Sequence, residues 1–179
     1  MKTKSPSIKR KFAGDWDQIE YLYQKLLFWF YERRNRRHAA QFADRLERVL
    51  ENVASDDEVI VVEECRSLIC EVRGDLAGAI KYRENEIRLI RRLHQISLGT
   101  PSRDLALSQY DFGDLSERLD LLAGLYRAAG KLTRAIRVLE ESKQLCATHG
   151  IPFNGRDLLR DYLQAKKARV KPKLVRKKV

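Results

Sequence analysis

Three histidines (His38, His94, His149) and three cysteines (Cys65, Cys70, Cys146) are the residues of this 179-residue chain best suited to hold a metal or act as nucleophiles. Their spacing argues against both uses. No histidine stands at a metal-ligand interval from a cysteine or from another histidine. Cys65 and Cys70 are five apart, on different faces of a helix. An odd, low cysteine count is also no disulfide framework, so small buried thiols in a reducing compartment are expected. His94 and His149 fall near predicted helix C-termini, where an imidazole interacts well with the helix dipole. The densest acidic run is Asp56, Asp57, Glu58, Glu63 and Glu64. Acid–base chemistry would require a pocket and a displaced pKa; capping the following helix is the plainer use of Asp56 and Asp57. The stretch GDLAGAI (74–80) lacks the spacing and the Lys-Ser/Thr ending of a phosphate loop. No nucleophile elbow or zinc-protease helix motif occurs. The expectation is a non-enzymatic protein with no catalytic, cofactor-binding or metal-binding residues, an enzyme being the distant alternative.

GDLAGAI returns as GKLTRAI at 130–136, both reading Gly-x-Leu-x-x-Ala-Ile. The residues around each copy have helical periodicity. Leu115, Leu119, Leu122, Tyr126 and Ala129 recur at intervals of three and four, and Gly130 follows where a helix end tolerates left-handed backbone angles. Leu132, Ala135, Ile136 and Leu139 begin a second helix running to about Ala147. So short a link predicts an antiparallel helix hairpin. Val61, Cys65, Leu68 and Val72, then Gly74, then Leu76, Ala79, Ile80, Ile87 and Ile90 repeat the plan, to about His94. The β-branched EVIVV (58–62) alone would suit a strand; the repeat favours helix. A weaker copy comes first. Ile19, Leu22, Leu26, Leu27 and Phe30 make one helix, Asn35 stands where the glycine would, and Ala40, Phe42, Ala43, Leu46 and Leu50 return. The anchors Asn35, Gly74 and Gly130 are 39 and 56 residues apart. Residues 95–114, punctuated by Gly99, Pro101 and Gly113, supply the extra length as an insertion, with RDLALSQ as a candidate short helix. GRDLLRDYLQAKK (155–167) reads as a capping helix.

The hairpin LLAGLYRAAGKLTRAIRVLEES (121–142) resembles the tetratricopeptide repeat through Leu122-Ala123, Tyr126, Gly130, Ala135 and Leu139. The copy around Gly74 keeps Gly74, Leu76 and Ala79; the first keeps Leu27, Tyr31 and Ala40 without the glycine. The resemblance implies an all-α array of about three antiparallel hairpins over 15–165, with a C-terminal cap. It further implies a protein-binding adaptor or assembly subunit whose groove takes a peptide, helix or loop of another protein. Placing the first helix of each hairpin on that groove nominates Lys25, Trp29, Arg33, Glu64, Leu68, Glu71, Asp120 and Arg127. The Lys/Asn pattern that clamps a chaperone's terminal carboxylate is missing, since Trp29 and Leu68 hold the Asn-like places.

Two features stand apart from the repeats. YLYQKLLFWFYERR (21–34) is apolar around nearly its whole circumference, which suits a buried or interfacial helix. Its 21–31 aromatic stretch is therefore a candidate for partner binding or self-association. That stretch is also the most apolar in the chain, and at 11 residues with Gln24 and Lys25 it falls short of the ~20 needed to span a bilayer. The second feature is charge. The net charge is +11. Residues 1–14 carry +5 and 166–179 carry +8 with no acid in either, which leaves the body at −2. Such blocks are usually unstructured when free and bind polyanions through counterion release. Lys9, Arg10, Lys11, Lys166, Lys167, Arg169, Lys171, Lys173, Arg176, Lys177 and Lys178 are the candidate contacts in the alternative reading, a nucleoprotein subunit whose basic ends hold DNA or RNA. The basic N-terminus has no apolar stretch behind it, so a cytoplasmic protein is expected.

Overall fold

The computed structural model describes residues 12–53, 59–97 and 110–170. Among them the chain is all-α, with no strand. It divides into two units, Met1–Asp57 and Glu58–Val179.

The first unit is one helix hairpin. Helix α1 (Asp15–Leu27) opens with Asp15 and Asp17 against its positive end and buries Ile19, Leu22 and Leu26, at intervals of three and four. It does not stop at Leu27. The chain widens into a π-helical turn, Phe28–Glu32, in which the Arg33 amide donates to the Phe28 carbonyl at 3.0 Å. Helix α2 (Arg36–Leu50) returns with Ala39, Ala43, Leu46 and Leu50 buried. The reversal differs from the sequence expectation by one residue. Arg34, not Asn35, takes the left-handed conformation, at φ 50°. Asn35 instead caps α2, its side-chain oxygen accepting from the His38 amide at 3.1 Å. A short side-chain acceptor is worth more as an N-cap than at the reversal. The alanine register moves with it: Ala39, not Ala40, is fully buried.

The second unit begins with α3 (Val59–Arg73) and α4 (Leu76–Ser97), joined through Gly74 at φ 80°. The β-branched run around Val59–Val62 is helical. Next come α5 (Phe112–Ala128) and α6 (Leu132–His149), joined through Gly130 at φ 75°. The two turns are the same motif. The Asp75 amide donates to the Cys70 carbonyl at 2.9 Å, and the Lys131 amide to the Tyr126 carbonyl at 2.8 Å, the same closure in both. Five residues past the reversal, Ala39, Ala79 and Ala135 are all at 0% exposure. With Arg34 as first anchor, the spacing becomes 40 and 56 residues. Around Ala79 the helices are tied by the Ser67 hydroxyl, which donates to the Ala79 carbonyl at 2.9 Å.

Helix α5 starts earlier than its apolar stripe. Asp111 and Asp114 accept reciprocally from each other's amides at 2.9 and 3.0 Å, a capping box that draws Gly113 into the first turn instead of leaving it in a loop. The insertion shortens accordingly, since α4 runs on to Ser97; RDLALSQ lies outside the described residues. Helix α4 packs on α5, and α6 on the last helix, α7 (Arg156–Val170). Helix α7 outlasts the predicted cap because residues 166–170 are good helix formers or tolerable ones, and the first proline is Pro172. Lys166, Lys167 and Arg169 therefore belong to a helix and not to an unstructured tail.

Candidate interaction surfaces

The most ordered polar feature of the second unit is a seam of charge between α3, α4 and α5. Glu86 on α4 is wholly buried. One carboxylate oxygen accepts from Arg83 Nη1 and the other from Arg118 Nε, each at 2.6 Å. Arg118, on α5, also reaches Glu64 Oε2 on α3 at 3.5 Å and the Asp114 carbonyl at 3.3 Å. Its guanidinium lies 5.6 Å from the centre of the Tyr110 ring. Burial pushes the Glu86 carboxyl up to about 6, against the pull of Arg83 and Arg118. Burial also works against the charge on Arg118, but Glu64 and Glu86 outweigh it and hold the guanidinium above its usual value. Cys65, beside this seam, is raised far above the thiol range by burial and by Glu64 and Glu86. A thiol held protonated is a poor nucleophile. Glu63 accepts from Asn85 at 2.9 Å and Arg66 at 3.4 Å. Glu63, Glu64 and Glu86 are thus engaged in ion pairs and hydrogen bonds that join helices.

A cleft of about 470 Å³ opens on a different side, over α4, α5 and α6. Ile87, Leu119, Leu122 and Val138 form its apolar floor, with Glu84, Arg91, Arg134, Arg137 and Glu141 around it. Much of that rim is tied down: Arg91 pairs with Glu141, and the Tyr126 hydroxyl donates to Glu84. None of the residues nominated from the sequence lines this cleft. It depends on the angle between two hairpins, which residue spacing does not encode.

The nominated residues of the second unit, Glu64, Leu68, Glu71, Asp120 and Arg127, have different surroundings. Glu64 belongs to the charged seam. Leu68 is 2% exposed and belongs to the core, so it presents nothing to a partner. Asp120 and Arg127 face α7: the Asp120 carboxylate sits so close to Gly155 that a Cβ there would stand 2.9 Å from both oxygens, and Arg127 lies 5.8 Å from the Tyr162 ring. Burial raises the Asp120 carboxyl, against a hydrogen bond from Ser142. On α5, therefore, the last helix and the residue before it lie against a surface that the repeat analogy leaves open. Glu71 is half-buried on α3.

In the first unit, Lys25, Trp29 and Arg33 do gather. Lys25 Nζ is 5.9 Å and the Arg33 guanidinium 5.2 Å from the Phe28 ring centre, while Trp29 meets that ring edge-on at 5.4 Å and stacks on His38 at 4.6 Å. Phe28, Trp29 and Phe30 are half-buried, and Tyr31 is 46% exposed. His94 is buried, its Nε2 donating to the Tyr110 carbonyl at 2.7 Å, with its ring edge-on to Phe112. Phe112 in turn stacks on His149 at 3.5 Å, so both histidines join ring contacts as well as lying near helix ends.

Of the candidate polyanion contacts, Lys166 and Lys167 are exposed on α7. Lys9, Arg10, Lys11, Lys171, Lys173, Arg176, Lys177 and Lys178 lie outside the described residues, as do Asp56, Asp57 and Glu58. Among the described residues no group of His, Cys, Asp and Glu could hold a metal, and no helix is long and apolar enough to cross a membrane. No family model, curated protein or solved structure matches the chain.

Proposed function

We propose that the protein is a non-enzymatic interaction adaptor or assembly subunit, built from tetratricopeptide-like hairpins, that binds another protein. The observation carrying this reading is the aromatic end of the first hairpin. Phe28, Trp29 and Phe30 are only half-buried and Tyr31 is exposed, in a turn that departs from α-helical geometry. Large aromatics left partly open are the residues that dominate protein interfaces, and π-helical turns concentrate at functional sites. A second copy of the chain and a different protein are both occupants this surface suits. The test is Trp29→Ala in the full chain. Partner affinity, or a dimer measured by light scattering, should weaken at least about tenfold while the helical circular dichroism signal and melting temperature hold. Loss of the fold would assign Trp29 to the core and remove this reading.

The second reading, a nucleoprotein subunit that holds DNA or RNA through its basic ends, is favoured by one feature of α7. Lys166 and Lys167 stand exposed on its last turns, so the basic block leaves the body on a helix. Nucleic acid retained through purification, read from the 260/280 nm absorbance ratio, would support it; protein free of nucleic acid, with no oligonucleotide affinity at low salt, would remove it.

A further inference from the structure

The turn between α1 and α2 carries a concentration of charge of which the adaptor reading uses only Arg33 and the nucleoprotein reading none. Residues 33–48 hold six cations, all arginine: Arg33, Arg34, Arg36, Arg37, Arg45 and Arg48, against Asp44 and Glu47. All six arginines are exposed. Arg33 rests over Phe28, Arg45 over Phe42, and Arg48 donates to the Asp44 carbonyl. Arg34, Arg36 and Arg37 have no ion pair or hydrogen-bonded side chain among the described residues. Arg37, Arg45 and Arg48 share the outer side of α2, opposite the buried Ala39, Ala43, Leu46 and Leu50. From Arg37 to Arg48 this side, which also carries the exposed Asp44, runs about 16 Å at 1.5 Å per residue. That is room for about five stacked nucleotides at about 3.4 Å each.

This charge is placed against the helix's own interest. The first turn of α2 has no acidic residue, and the positive end of the dipole meets arginines where carboxylates would be favoured. A bound anion would relieve that repulsion. Arginine alone, with no lysine, suits phosphate, because the planar guanidinium fork can donate to two phosphate oxygens at once. The neighbouring rings add the second element of nucleic-acid recognition: Tyr31 is 46% exposed, and Trp29 and His38 are stacked beside the arginines. Aromatic faces beside a basic track are how unpaired bases are held.

We infer that the α1–α2 turn and the outer side of α2 bind single-stranded nucleic acid, with the arginines on phosphates and Tyr31 as a base platform. This does not depend on the adaptor reading, and it differs from the second reading in placing the contact on the folded hairpin instead of on the chain ends.

The test uses the full chain and a fluorescent 20-mer of oligo-dT or oligo-rU, followed by anisotropy across a salt series. Arg36→Glu/Arg37→Glu should weaken binding at least about tenfold and lower the log–log salt slope by about 1.4, at about 0.7 per phosphate contact. Lys177→Glu/Lys178→Glu changes net charge equally and should weaken binding less than about threefold. Tyr31→Ala should weaken binding at least about fivefold with the salt slope unchanged. The arginine variant should melt no lower than the parent, because it removes repulsion at the α2 N-terminus; a lower melting temperature would mean these side chains are structural and would overturn the assignment. Equal losses in the two charge-reversal variants would reduce the effect to net charge and overturn it. An unchanged affinity in Tyr31→Ala would overturn the single-strand assignment. So would an acidic peptide that competes as well as oligo-dT at equal charge, which would make the face a protein-docking surface.

Discussion

Glu86 is a carboxylate with no exposure, between two arginines, and its folded-state pKa of about 6 lies above the ordinary 4.5. Between those values the folded chain keeps a proton that the unfolded chain has released. Stability from this group therefore falls as pH rises from about 4.5 to about 6, by roughly 2 kcal/mol in all. Glu86→Gln removes the titration. Its urea midpoint should be nearly flat across that window, whereas the parent's declines; parallel curves would show that Glu86 is not the group responsible. The residue leaves a trace in the sequence. Ile80, Arg83, Ile87 and Ile90 form one helical stripe, and a charge standing in an apolar stripe needs a buried partner. The resemblance to the tetratricopeptide repeat makes Glu64 of the same seam a groove residue. Nothing in the spacing says that Arg118, thirty-two residues after Glu86, arrives to bond it.

The hairpin turns show how backbone conformation sets an element's register. Gly74 and Gly130 carry the left-handed reversal, and in the first hairpin Arg34 carries it. An arginine there costs about 1 kcal/mol or more relative to glycine. Arg34→Gly should accordingly raise stability by about that much, read as a higher denaturation midpoint; a drop would mean the Arg34 side chain supports the turn. Five residues later the buried alanines set how closely the paired helices approach. Ala135→Leu should destabilise by ~1–3 kcal/mol through overpacking in the α5–α6 hairpin. An unchanged thermal midpoint would mean that the helices there have room.

On the scale of the whole chain, the basic ends and the body separate at a different point from the one the charge run suggests. Since α7 reaches Val170, a truncation at 165 would cut a helix that packs on α6. Removing 1–11 and 171–179 instead takes away Lys2, Lys4, Lys9, Arg10, Lys11, Lys171, Lys173, Arg176, Lys177 and Lys178 and leaves every described helix whole. If the ends supply non-specific affinity, this truncation should lower the salt slope on duplex DNA by about 0.9 for each phosphate the ends neutralise. The residual affinity for single strands should persist through the α1–α2 turn. An unchanged slope would show that the ends touch no phosphate.

The helical class, the three hairpins, the reversals at Gly74 and Gly130 and the close-contact Ala79 and Ala135 are all legible in the sequence. Each is a local matter: periodicity, backbone freedom at one position, or side-chain size at a fixed offset. Spacing puts the first reversal at Asn35, one residue late, because asparagine suits a left-handed turn as well as an N-cap, and only the folded hairpin chooses between them. The charged seam, the α4–α5–α6 cleft and the docking of α7 against Asp120 and Arg127 are decided by tertiary structure. They depend on the angles at which helices cross and on which distant side chains then meet, and a one-dimensional pattern carries neither.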